Sequence, residues 1–206
     1  MRDYSIRIRC HNLPWSSSDS DRDITLYHVF DGSASCQTPY IAGKGIKSGK
    51  DCRPLDPGQT CILRSAKIVR RHLDWSNRTP THFISLWDDY DTAAREARRR
   101  ADAGTHGRVG IVRVSLRGLV RNARERGGVV FRPYKVVRAS RHAPRTRRAA
   151  AEVWKGFPLS RKEWLAYGEV PQSCVAGVEY FEGAGARYYP RTEMSMIAGF
   201  SLLSLD

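Results

Sequence analysis

The chain of 206 residues is 41% hydrophobic and 27% charged, a balance that suits one globular domain over residues 1–206. No apolar run approaches the roughly 18–20 residues of a membrane-spanning helix, and five Trp, nine Tyr and six Phe argue against a wholly disordered chain. Net charge is +14, and thirteen Lys or Arg face a single acid, Glu125, between Arg108 and Arg148, a footprint for phosphates, nucleic acid or acidic protein surfaces.

The first fifteen residues carry scattered charge and no apolar core, so no secretory leader is visible, although a presequence removed before Met1 would leave the same start. Ile24–Phe30 alternates and is rich in β-branched and aromatic residues, which predicts a strand ending at the Asp31-Gly32 turn. Residues 31–60 are dense in Gly, Pro, Ser and Lys and read as a long loop. Ile62, Ala66, Ile68 and Val69 make an approximate apolar stripe, predicting a helix over Cys61–Leu73. A second strand, Thr81–Trp87, follows the Thr79-Pro80 breaker.

The next segment predicts a helix capped by Asp91 or Thr92, packed through Ala93, Ala94, Ala97 and Ala101, and closed at Gly104. Strands are then expected at Arg108–Leu116 and within 134–140, and a basic stretch leads to strands at 161–168 and Val175–Gly183. Strands and helices mix without βαβα regularity, so the fold class is α+β. No GxGxxG or GxxxxGK[ST] loop is present, which removes Rossmann and P-loop readings.

Five cysteines, Cys10, Cys36, Cys52, Cys61 and Cys174, include no CxxC pair, and the neighbours Cys10 and His11 lack the spacing of zinc ligands, so no metal is expected. A Cys52–Cys61 disulfide and buried free thiols are equally compatible with the sequence, and the compartment stays open.

Three segments, in order, and a fourth, weaker match resemble the ADP-ribosyltransferase toxins of the cholera and pertussis type. Glu163-Trp-Leu-Ala-Tyr-Gly-Glu-Val-Pro171, followed by Val178 and Tyr180, is similar to the family's catalytic-glutamate strand and its Val-Pro step. His82-Phe-Ile-Ser-Leu-Trp87, an Ala- and Arg-rich helix and the strand after it resemble the family's Ser-Thr-Ser strand, helix and next strand. Leu26-Tyr-His-Val-Phe-Asp31 sits where the family has a first strand ending in Tyr-Arg, and Arg71-His-Leu73 is similar to an Asp-His-Leu before the Ser-Thr-Ser strand. The resemblance covers residues 24–182, and a fungal domain of unknown role is similarly arranged. It implies a split mixed β-sheet core with flanking helices, in which strands near 24–29, 82–87 and 160–167 line one NAD-binding cleft.

It also assigns roles. Glu163 would stabilise the oxocarbenium-like centre formed when the nicotinamide–ribose bond of NAD breaks, and His72 would orient or deprotonate an acceptor. Ser85 and His28 would contact NAD, while Phe157 and Arg161 would meet the acceptor. Glu152, Glu179 and Glu182 fall outside the matching glutamate position. Three departures bear on chemistry: His28 replaces Arg, Ser85-Leu-Trp87 replaces Ser-Thr-Ser, and Arg161-x-Glu163 replaces Glu-x-Glu. On a regular strand Arg161 would lie beside Glu163 and favour its ionised form, without serving as a base toward a target guanidinium. The expected function is therefore a toxin- or effector-like mono-ADP-ribosyltransferase or NAD glycohydrolase, with a non-arginine acceptor or water. The alternatives are an inactive binding module of the same fold and a nucleic-acid-binding protein working through Arg108–Arg148.

Overall fold

Alternating, β-branched and aromatic segments build most of a seven-stranded antiparallel sheet in the computed structural model. The structure describes residues 6–7, 24–32, 37–50, 62–63, 66–74, 79–103, 108–126, 129–134, 160–182 and 185–190. The strands in chain order are β1 (Ile6–Arg7), β2 (Thr25–Asp31), β3 (Tyr40–Ile41), β4 (Gly45–Lys47), β5 (Ile62–Leu63), β6 (Phe83–Trp87), β7 (Val109–Ser115), β8 (Val130–Phe131), β9 (Glu163–Tyr167), β10 (Glu169–Pro171), β11 (Val175–Glu182) and β12 (Gly185–Pro190). Helices α1 (Ala66–Leu73), α2 (Tyr90–Asp102) and α3 (Leu116–Arg126) complete the described elements with a 3₁₀ turn, Gln172–Cys174.

The main sheet runs β12-β11-β7-β2-β6-β9-β8, which places β6 between β2 and β9. Its ladders are uneven. Strand β2 pairs with β7 over seven residue pairs, Thr25 with Ser115 through Asp31 with Val109. It meets β6 through one pair only, Tyr27 with Trp87. Strand β6 then pairs fully with β9, Phe83 with Tyr167 through Trp87 with Glu163. The sheet thus divides into two well-laddered parts joined at a thin seam.

Both faces are covered, for a reason visible in the side-chain alternation. Val29, Trp87, Val109 and Ile111 pack under Ala93, Ala94 and Ala97 of α2, whose small side chains let the helix approach closely. Leu26, Phe30, Ile84, Leu86, Val112 and Val114 face the other way, onto Leu116, Leu119 and Val120 of α3 and onto Ile46 and Val170 of a small sheet, β10-β4-β3. Gly45, at φ +101°, lets β4 touch the turn after β10: a Cβ there would lie 2.1 Å from the Val170 carbonyl oxygen.

Several expectations need correction. Residues 31–60 hold β3 and β4, although 33–36 and 51–60 lie outside the described residues. The helix expected from Cys61 begins at Ala66, because Ile62–Leu63 pairs with Ile6–Arg7 as strand instead. Helix α2 is capped by Asp89, whose carboxylate accepts from the Thr92 amide at 3.1 Å. Residues 116–126, for which no helix is expected, form helix α3. The strand expected within 134–140 lies outside the described residues, apart from Tyr134, as do Gly104, Cys10, Cys36, Cys52 and Cys61. Cys174 is buried in the core. No helix among the described residues is long and apolar enough to cross a membrane.

Candidate active site at the seam of the sheet

Residues directly opposite one another in a ladder share a face, so Glu163 lies on the Trp87 side and Ser85 on the Leu165 side of the same surface. There the Ser85 hydroxyl donates to Glu163 Oε1 at 2.8 Å. Helix α1 closes over this pair from the end of β6. Its Val69, His72 and Leu73, at i, i+3 and i+4, share one face, with Val69 and Leu73 buried and the His72 ring edge-on to Phe83. His72 Nε2 stands 3.0 Å from Ser85 Oγ, and its Nδ1 is hydrogen-bonded to the Thr81 hydroxyl. Four side chains from α1, β6, the residues before β6 and β9 thus form one continuous chain.

The electrostatics follow from burial. Glu163 is 7% exposed, and desolvation raises its carboxyl to about 7, against a smaller lowering by the Ser85 hydrogen bond. His72 is driven down to about 4, mainly by burial and secondarily by its neighbour His28. Near neutral pH the imidazole is uncharged and the carboxyl is close to its midpoint, a state suited to proton exchange or to charge stabilisation.

His28 occupies the seam. Its Nδ1 lies 2.8 Å from the Ser85 carbonyl oxygen and its Nε2 lies 2.9 Å from that of Thr38. Two carbonyls call for two N–H donors, whereas burial lowers the ring's pKa and favours the neutral form with one. Burial is the larger effect, so the ring is held neutral with a single N–H between the two carbonyls. This bridge holds β6 to β2 where ladder pairing has ended, and it occupies both nitrogens of the expected NAD contact.

Arg161 precedes β9 and is exposed, its guanidinium 5.1 Å from the Tyr134 ring centroid. Strand alternation begins only at Glu163, so the expected alignment of Arg161 with Glu163 does not form, and the carboxyl is raised instead of lowered. Phe157 and Glu152 lie outside the described residues. Glu179 serves the opposite end of the sheet: buried on β11, it accepts from the Tyr90 hydroxyl at 2.6 Å and pairs with Arg113 at 3.4 Å. That carboxylate helps push the Tyr90 hydroxyl up to about 12, after burial.

Two features of the site have no clear pattern in the sequence. Thr81, read only as the start of a strand, is buried and reaches His72. Asp88, after β6, accepts from Trp164 Nε1 at 3.2 Å and pairs with Arg132 at 2.7 Å, while Arg132 lies over the Trp164 ring. This clamp fixes β9 one residue beyond Glu163. A Trp beside a catalytic-type Glu and an Asp closing the neighbouring strand were the available signals.

A family model described as a domain of unknown function, DUF7587, matches residues 21–182, which include all three site strands. The chain belongs to that family. No curated protein matches the sequence. Among solved structures, one named EcPltA is similar over 82% of this chain and 85% of its own, at 13% identity and a TM-score of 0.39. A likeness that loose decides neither fold nor function.

Proposed function

We propose that this DUF7587 domain binds NAD as a substrate at the β2–β6–β9 seam and cleaves its nicotinamide–ribose bond. The observation that carries this reading is the buried Glu163 carboxyl, hydrogen-bonded at 2.8 Å by Ser85 and poised near 7. In the reaction, nicotinamide leaves with the electron pair of the N-glycosidic bond. The ionised Glu163 stabilises the oxocarbenium-like ribose by charge and by holding a ribose hydroxyl. An acceptor oxygen, sulfur or nitrogen, or water, then bonds to the ribose carbon and releases its proton to the surrounding water, both nitrogens of His72 being engaged by Ser85 and Thr81. An arginine acceptor is disfavoured because position 161 carries an arginine, turned toward Tyr134, and so supplies no second carboxylate to deprotonate a guanidinium.

The Ser85 contact also speaks against a serine-hydrolase reading of Ser85, His72 and Glu163. In such a triad the carboxylate holds the imidazole, whereas here it holds the serine and His72 turns its other nitrogen to Thr81. A non-catalytic module is favoured by a different observation: Leu86 and Trp87, which stand where two hydroxyls would be, are buried in the core. Incubation with NAD, with and without cell lysate, separates the readings. Nicotinamide release with label transfer to lysate marks a transferase, release without transfer marks a glycohydrolase, and neither release nor binding of NAD leaves the module.

A further inference from the structure

The hydrogen-bonded chain from Thr81 through His72 and Ser85 to Glu163 can be audited proton by proton. A hydroxyl donates once, and a neutral imidazole has one N–H and one acceptor nitrogen. Two arrangements satisfy every contact. In the first, Thr81 donates to His72 Nδ1, His72 Nε2–H donates to Ser85 Oγ, and Ser85 donates to the Glu163 carboxylate. In the second, all directions reverse: a protonated Glu163 donates to Ser85, Ser85 to Nε2, and the ring proton on Nδ1 goes to Thr81. An ionised carboxylate only accepts, so ionised Glu163 goes with the first arrangement alone.

We propose that Thr81 is a positioning residue, whose hydroxyl donates to His72 Nδ1 and so holds the Nε2–H tautomer that ionised Glu163 selects, keeping the single Ser85 proton aimed at Glu163. A donor at Nδ1 leaves Nε2 as the protonated nitrogen, and a protonated Nε2 denies Ser85 any acceptor except the carboxylate. Thr81 is 5% exposed, so bulk water does not take over this contact. Its main chain is pinned as well: the Thr81 carbonyl accepts from the Lys50 amide at 3.2 Å, immediately before β6 begins. The consequence for catalysis rests on the NAD-cleaving reading. The tautomer does not.

The test is the ring nitrogen resonances of His72 in ¹⁵N-histidine-labelled protein at about pH 8, where Glu163 is ionised. The expected result is a protonated Nε2 and a bare, hydrogen-bonded Nδ1. Thr81→Val keeps the side-chain shape and removes the hydroxyl; it is expected to shift Nδ1 toward a nitrogen without a donor, and Thr81→Ser to restore the wild-type signal. A proton on Nδ1 in the wild type, or ring resonances unchanged in Thr81→Val, would overturn the proposal. Should Thr81→Val not fold, Thr81→Ala carries the same test, since it also removes the hydroxyl and must show the same shift at Nδ1. Nicotinamide release is expected to fall on the order of tenfold in Thr81→Val, less than on losing the carboxylate charge, and to survive in Thr81→Ser. The expected resonances in a protein that never cleaves NAD would defeat the NAD reading and leave the orienting role of Thr81 intact.

Discussion

At position 163, burial and one hydroxyl act on the carboxyl in opposite directions, and burial dominates. The folded group titrates near 7, against 4.5 ordinarily. Its contribution to stability is therefore complete below about 4.5 and is lost as pH rises through about 7, a difference on the order of 3 kcal/mol. His72, held near 4, works the other way: its contribution is present above about 6.5 and is lost as pH falls toward 4. Glu163→Gln removes the first slope. Urea unfolding should show this variant gaining on the wild type by up to about 3 kcal/mol between about pH 4.5 and pH 8. A difference that stays constant over that range would mean the carboxyl is not raised in the folded protein.

At the scale of elements, the seam between β2 and β6 makes the largest demand on single side chains. His28→Ala leaves the Ser85 and Thr38 carbonyls without their shared donor and opens a cavity, so stability should fall by about 2–5 kcal/mol, read from the urea midpoint. Gly110 on β7 is a second narrow point, since a Cβ would lie 2.6 Å from the Phe30 ring and 3.0 Å from the Glu179 carbonyl oxygen. Gly110→Ala is expected to cost about 1–3 kcal/mol in the same measurement. Long strands were legible in the sequence because alternation over five or more residues carries its own signal, as in Thr25–Asp31 and Val109–Ser115. Strands of two or three residues, such as Tyr40–Ile41 and Gly45–Lys47, show no period and exist through their partners. Helix α3 was readable in the i, i+3, i+4 spacing of Leu116, Leu119 and Val120, obscured by four arginines and Gly118. Ser85 beside Glu163 followed from the resemblance. The reach of Thr81 to His72 did not, because it depends on how α1 is laid over β6, and no local pattern encodes that angle.

For the molecule as a whole, charge is the property most open to solution measurement. With +14 overall and the excess concentrated between Arg108 and Arg148, retention on heparin or DNA should weaken steeply between about 50 and 200 mM salt as condensed counterions are released. Retention independent of salt would argue against a phosphate-contacting surface. The central claim, that the Glu163–Ser85 site cleaves NAD, meets its most direct test in nicotinamide release by the wild type and by Glu163→Gln, assayed side by side from about pH 5 to pH 8. The wild-type rate is expected to rise with pH through about 7 as the carboxyl ionises, and the Gln variant to be slower by about 10²–10³ with no such rise. Equal release by the two proteins, or a wild-type rate that falls across that interval, would contradict it.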